Sequence, residues 1–373
     1  MWSYVNPVRV VFGRGRFGEL GGLINGRRYG VVTYPDAPFS DLVDTLARLT
    51  GNPVAVIDDV APNPDFMQLE GQAARMAPVA SELDVIVAIG GGSVIDTAKV
   101  LAASNGGFAT VRRFLETKQG NDTLSNIPII AVPTTSGTGS EVTSWATVWD
   151  AKAGRKFSLA RHGLYPETAV IDPDLMLGKP RDLTLATGLD ALSHALESLW
   201  NVNANPISAN HAVAAARSIL KHLPPLLDDL ANIGLRAEMA EAALHAGLAF
   251  SNTKTAIAHN ISYPITLGWG VPHGIACAFT LPLVLRSVAG VGGFRAESLT
   301  AIFGPDLEAG ADRLADFLTR LGVGLRFDDY GIPAQEHRRI LDDAFAGERG
   351  QNFAGSPERL RAAAARSGVV RGS

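Results

Sequence analysis

Through its first 180 residues the chain alternates short β-branched runs with stretches of helical spacing, and that alternation limits the fold more than any other feature. Strand candidates are YGVVTY (29–34), PVAVID (53–58), LDVIVAIGGG (83–92) and NIPIIAVPTT (126–135). Between them, FSDLVDTLARLT, PDFMQLEGQAARMAP and GSVIDTAKVLAAS carry helical spacing. Apolar strands alternating with helices predict a mostly parallel sheet covered on both faces. Beyond about residue 180 the β-rich pattern stops. TLATGLDALSHALESLW, PISANHAVAAARSILKHLPPLLDDL, LRAEMAEAALHAGLAFSN and GADRLADFLTRLG are rich in Ala and Leu and helical in period. Pro173 and Pro180 interrupt the periodicity between the halves. Two domains are therefore expected, an α/β domain at 1–180 and an all-helical domain at 181–373, with a cleft between them for ligands. The last stretch, AGERGQNFAGSPERLRAAAARSGVVRGS, reads as a loop, a short helix and a frayed tail.

A chain of 373 residues can bury a large core, and 46% hydrophobic with 19% charged residues excludes disordered and fibrous classes. A net charge of −4 gives no general attraction to nucleic acid or anionic membrane. The N-terminal stretch lacks the basic-then-apolar order of a signal peptide, and no run of about 18 uncharged apolar residues occurs. A cytoplasmic protein with neither membrane nor nucleic-acid partner is expected. The single cysteine, Cys277, excludes an intramolecular disulfide and suits a reducing compartment. Within GIACAFTLPLVL it reads as a small buried hydrophobe.

Two loops carry candidate binding chemistry. VAIGGGSVIDTAK (87–99) is a strand, three glycines, a serine and a helix start. Unpaired amides at such a start can hold a phosphate, and Ser93 adds a hydroxyl. An ordinary tight turn would look the same, and the run is neither G-x-G-x-x-G nor a Walker A loop. AVPTTSGTGSEVTSWATV (131–148) offers hydroxyls at Thr134, Thr135, Ser136, Thr138 and Ser140, with Gly137 and Gly139 permitting close approach. Two such loops in one α/β half fit a nucleotide diphosphate better than two unrelated turns.

The helical half carries a metal-ligand pattern. Asp190 and His194, at i and i+4, share a helix face, about 5–6 Å apart at Cβ. A simple Asp–His hydrogen bond would satisfy that pair alone. His259 and His273 follow, fourteen residues apart. One carboxylate and three neutral imidazoles suit Fe²⁺ or Zn²⁺ and not Mg²⁺ or Ca²⁺. The remaining histidines read as surface or packing residues.

The motifs AIGGGSVIDTAK, PTTSGTGSEVT, VIDPDL, GLDALSHALE and PHG occur in the order and spacing of the iron-containing (group III) alcohol dehydrogenases. The chain resembles that family over about residues 5 to 355. The resemblance implies a Rossmann-like, dinucleotide-binding α/β domain and a helical metal-binding domain, forming a homo-oligomer such as a dimer. It implies metal ligation by Asp190, His194, His259 and His273, and a pyrophosphate loop at Gly91, Gly92, Ser93 and Asp96. Thr134, Thr135 and Thr138 match the family's second nucleotide-contacting turn, and Lys156 its ribose contact. The implied reaction is hydride transfer between NADH or NADPH and a small aldehyde or alcohol whose oxygen the metal polarises.

Two departures stand out. Many members carry a proton-relay histidine four residues after the third ligand, where this chain has Tyr263, a phenol of ordinary pKa about 10. The acid that NAD-preferring members place after the second strand is displaced, with Tyr34 at that spot and Asp36 two later. Both dinucleotides therefore remain open.

Lys254, five residues before His259, and Arg161, near Lys156, are cations that could bind an anionic group on a small aldehyde. NTKTAIAHNISYPIT resembles the phosphonoacetaldehyde reductase branch of the family. Dehydroquinate synthases and glycerol-1-phosphate dehydrogenases share a related plan. The former are distinguished by a dense set of substrate-binding Lys and Arg, not evident here. A non-catalytic metal and nucleotide binder is the remaining alternative.

Overall fold

A computed structural model describes residues 1–369, and the end of the expected frayed tail lies outside them. The α/β half carries β1 (Arg9–Phe12), α1 (Leu20–Ile24), β2 (Tyr29–Val32), α2 (Phe39–Thr50), β3 (Ala55–Ile57), α3 (Phe66–Met76), β4 (Val85–Gly90), α4 (Gly92–Ala103) and α5 (Phe108–Thr117). It continues with β5 (Ile129–Pro133), β6 (Trp145–Asp150), β7 (Arg155–Ala160) and β8 (Thr168–Ile171). Six strands form a parallel sheet in the order β1-β8-β5-β4-β2-β3.

Strand β4 shows why this sheet is buried on both faces. Val85, Val87 and Ile89 pack with Leu20, Ile24 and Leu46 of α1 and α2. Ile86 and Ala88 turn the other way, onto Leu69, Val94, Ile95 and Val111 of α3, α4 and α5. Each such Val or Ile stabilises the sheet by about 2 kcal/mol. The chain order reverses between β2 and β4, and the loops leaving those strands are where an open α/β sheet binds ligands.

The expected strands at 29–34, 53–58, 83–92 and 126–135 are β2 to β5. Sequence reasoning passed over β1 and β8, four residues each, which pair with one another from opposite ends of the domain. It also passed over β6 and β7, an antiparallel hairpin outside the main sheet.

The helical half runs α6 (Arg181–Leu199), α7 (Pro206–Asp228), α8 (Ile233–Thr253), α9 (Ile257–Trp269), α10 (His273–Ala278), α11 (Leu281–Ser287), α12 (Phe294–Phe303), α13 (Leu307–Arg320), α14 (Ala334–Asp343), α15 (Gly347–Gln351) and α16 (Pro357–Ser367). Residues 1–6 and 136–138 belong by their contacts to this helical unit, not to the α/β unit. In the region read as a loop, a short helix and a frayed tail, the helix is α16, preceded by the short α15, and Leu360, Ala363 and Ala364 of α16 are buried in the helical core. No helix among the described residues is long and apolar enough to cross a membrane.

Helix α6 is packed against α7, α8 and α10, and Leu185, Leu189, Leu192, Leu196 and Leu199 fill its surroundings. Polar side chains on so enclosed a helix must be paired or hold something. Asp190, His194 and Glu197 are all buried there.

Candidate metal centre

Three segments bring the four expected ligands together. Asp190 and His194 lie one turn apart on α6, His259 sits in the first turn of α9, and His273 opens α10. The approach of α10 to α6 depends on Gly274, because a Cβ there would stand 1.8 Å from the Ala186 carbonyl oxygen. Only glycine lets His273 reach Asp190.

Around Asp190 Oδ1, the Nε2 atoms of His259, His194 and His273 stand at 3.5, 3.8 and 4.0 Å. A tetrahedral shell with donors about 2.1 Å from a central ion spaces them by about 3.4 Å, so this cage is close to ion-sized. Asp190 Oδ1 and His259 Nε2 are buried without a hydrogen-bond partner. Orphaned acceptors of that kind are costly unless a cation satisfies them. The donor set therefore fits a divalent first-row metal.

The tautomers agree. His259 Nδ1 donates to Glu197 Oε2 at 2.5 Å, and His194 Nδ1 donates to the Gly137 carbonyl at 3.3 Å, so in each neutral ring it is Nε2 that turns a lone pair toward Asp190. Burial pushes the His194 imidazole down to about 4, so it is neutral at pH 7. Burial opposes charge on Asp190, yet the neighbouring imidazoles, His194 foremost, hold its carboxyl well below the usual range. Glu197 is likewise held low against burial by His259.

Glu197 is the residue sequence reasoning missed. It is fully buried, and besides the imidazole it accepts from the amides of Ala256, Ala258 and His259. One carboxylate thus fixes both the start of α9 and the ring orientation of His259. Its place at i+3 from His194 was the available clue.

The two candidate nucleotide loops leave adjacent strands of the α/β unit. Strand β4 pairs with β5, and the Thr134 amide donates to the Gly90 carbonyl. Gly90 is confined to glycine, since a Cβ would meet Val94 at 2.5 Å as α4 turns back. Gly91 is the N-cap of α4, and the first intrahelical bonds run from Val94 and Ile95 to its carbonyl, leaving Gly92 and Ser93 ahead of them. Tyr34 and Thr135 close around Gly91, within 3.5 Å of where its Cβ would stand. Ser93 Oγ accepts from the Asn63 amide. The Thr134 hydroxyl is buried without a partner. A helix start and an orphaned hydroxyl side by side fit a dinucleotide's phosphates.

Asp96 faces inward instead of toward a ligand: Oδ1 accepts from Ser140 Oγ at 2.6 Å and Oδ2 from the Thr147 amide at 2.8 Å. It braces the second loop. Lys99, also buried, donates to the carbonyls of Ser140 and Trp145 in the same place. Lys156 on β7 lies 5.1 Å above the Trp149 ring. Thr138 falls in the short piece that joins the helical unit.

Residues 7–173 match the family model for iron-containing alcohol dehydrogenase, and residues 184–361 match that for the C-terminal part of Fe-containing alcohol dehydrogenases. The chain belongs to the iron-containing alcohol dehydrogenase family. The phosphonoacetaldehyde reductase of Streptomyces viridochromogenes is 38% identical over 263 residues, 69% of this chain and 64% of that protein. The 1,3-propanediol dehydrogenase of Klebsiella pneumoniae is 34% identical, over 91% of this chain and 89% of its own. Among solved structures, sulfoacetaldehyde reductase from Bifidobacterium kashiwanohense in complex with NAD⁺ superposes with a TM-score of 0.85 at 30% identity, covering 97% of each chain.

This iron-containing alcohol dehydrogenase is thus an oxidoreductase whose family cofactors are iron and a nicotinamide dinucleotide. Tyr263 stacks parallel on His273, ring centres 5.8 Å apart. Arg161, expected at the substrate, instead spends its guanidinium on the carbonyls of Asn121, Leu124 and Ser125 and on the Asn121 side chain. Lys254 is exposed at the end of α8 with φ of 63°. A second cation contacts the following residue, Thr255. Arg349 on α15, which sequence reasoning left in the terminal loop, donates from Nε to Thr255 Oγ1 and covers the Tyr263 ring at 5.0 Å.

Proposed function

We propose that this family member is an NAD(P)H-linked reductase of a small aldehyde bearing an anionic group, of the phosphonoacetaldehyde or sulfoacetaldehyde kind. The observation that carries the reading is the pair Lys254 and Arg349, which flank Thr255 four residues before the ligand His259. Arg349, over the Tyr263 ring that stacks on His273, and Lys254, next in the chain to Thr255, would suit a phosphonate or sulfonate attached one carbon from the reacting carbonyl. The names of the Streptomyces and Bifidobacterium relatives support it, since both describe acidic two-carbon aldehydes.

In this reading Asp190, His194, His259 and His273 hold the metal, and Gly91, Gly92, Ser93, Thr134, Thr135, Thr138 and Lys156 hold the dinucleotide. When bound, the metal supplies a Lewis acid at the carbonyl oxygen and the nicotinamide supplies hydride. Glu197 keeps His259 in its metal-binding tautomer. Lys254 and Arg349 orient the anionic end of the substrate. The Tyr263 hydroxyl, one helical turn beyond His259, holds the proton that the product alcohol requires. A reducing, cytoplasmic compartment accords with a chain whose single cysteine is free and buried.

The test is a panel of aldehydes of equal length, charged and uncharged, with NADH and NADPH, on protein loaded separately with Fe²⁺ and Zn²⁺. A kcat/KM for phosphonoacetaldehyde at least about tenfold above that for propanal supports the anion reading. Equal values refute it.

A further inference from the structure

Lys254 holds a backbone conformation that L side chains rarely adopt. Its φ of 63° and ψ of 179° lie in the extended, positive-φ region that is almost confined to glycine. Among the described residues, the other non-glycines at positive φ are Asn25, Asn63, Asn105 and Lys118. Asparagine tolerates that half of the map. Lys118 caps α5 at φ 59° and ψ 15°, in the ordinary left-handed helical region. Lys254 differs in kind, because at its angles a β-carbon crowds the backbone.

The surroundings hold that strain in place. Thr253 ends α8 and Ile257 starts α9, leaving Lys254, Thr255 and Ala256 to turn the chain. The Lys254 amide donates to the Phe250 carbonyl at 2.7 Å. Its carbonyl accepts from Asn201 Nδ2 at 3.1 Å and lies 3.0 Å from Thr253 Oγ1, both on fully buried residues. The Thr255 carbonyl accepts from Asn352 Nδ2, and the Ala256 amide donates to Glu197 Oε2, the oxygen that also receives His259 Nδ1. With the link pinned on both sides, the turn out of α8 demands positive φ at its first residue. Glycine would meet that demand without strain. Lysine meets it at a cost, and as an exposed residue it is not explained by core packing.

We propose that Lys254 is a specificity residue kept at a strained position for the sake of its ammonium, which binds the anionic end of the substrate, and that the fold is less stable with lysine there than with glycine. Strain of this kind biases the folding equilibrium by about 5–150-fold and persists where a binding or catalytic task requires the residue. The task is local to the candidate site: two residues after Lys254, the chain reaches the carboxylate that orients His259. The inference rests on the reading of this enzyme as a reductase of anionic aldehydes.

Two variants that both delete the amine separate backbone from charge. K254A keeps the β-carbon and its strain, whereas K254G removes both. In denaturant unfolding of the full-length protein, K254G should show an unfolding equilibrium constant at least about threefold smaller than K254A, although glycine ordinarily favours the unfolded chain. Both variants should lower the ratio of kcat/KM for phosphonoacetaldehyde to that for propanal at least about tenfold, through KM. A K254G protein no more stable than K254A would overturn the strain. A K254G protein that keeps a wild-type preference for the charged aldehyde would overturn the substrate role, and either result ends the proposal. Wild-type protein with no such preference is a distinct failure, because it removes the anionic-aldehyde reading itself and this proposal with it, whatever the unfolding curves show.

Discussion

Replacing Glu197 by glutamine removes one negative charge and almost no volume, yet the structure leaves the new amide without a good orientation. If its nitrogen takes the place of Oε1, it faces the amides of Ala258 and His259, donor against donor. Two buried N–H groups then lose their acceptor, at about 1–3 kcal/mol each. If the nitrogen takes the place of Oε2, only the Ala256 amide is orphaned, and the new NH₂ can donate to His259 Nδ1. That second arrangement is cheaper for the fold, at about 1–3 kcal/mol, but it forces the imidazole proton onto Nε2, where the metal must bind. The expected result is modest loss of stability with a metal affinity lowered about 10–100-fold. Denaturant unfolding of the metal-free protein and competition with a chromophoric chelator measure the two effects separately. Wild-type metal affinity in E197Q would refute the assignment of Glu197 as the group that sets the ligand's tautomer.

Three further outcomes follow from the same geometry. Gly274→Ala should lower the melting temperature and metal affinity together, because α10 must retreat from the Ala186 carbonyl by more than an ångström; an unchanged melting curve contradicts that packing. Lys254→Ala and Arg349→Ala should each raise KM for an anionic aldehyde about tenfold while leaving an uncharged one within about twofold, as steady-state NADH oxidation reads it. Burial pushes the Glu141 carboxyl up to about 7 from an ordinary 4.5, with Lys99 opposing. Between those values the folded chain keeps a proton that the unfolded chain releases, so this group's contribution to stability is present below about 4.5 and lost as pH rises through 7, by about 3 kcal/mol at most. Unfolding free energies of wild type and Glu141→Gln, compared from pH 4.5 to 8, should converge at the low end and diverge at the high end in favour of the variant; parallel curves would be inconsistent with the shift.

The sheet was legible where burial is two-sided, because β2, β4 and β5 are continuous apolar runs that cannot be mistaken for loops. β1 and β8 were not, since four residues carry little period and their pairing joins positions about 159 residues apart in the chain. Asp190 and His194 were legible through helical spacing alone, and His259 and His273 through the chemistry they complete. Glu197 escaped notice because its partners are mostly backbone amides roughly sixty residues away, which leave no pattern in side chains. Arg349 and Thr255 meet only after the C-terminal helices fold back over the core, a contact no local window contains.

Anomalous scattering at the iron edge, from crystals of the iron-reconstituted protein, tests the central claim most directly. One peak within bonding distance of Asp190 Oδ1 and of the Nε2 atoms of His194, His259 and His273 is expected. A peak elsewhere, or none in protein that analytical measurement shows to hold iron, would contradict the account.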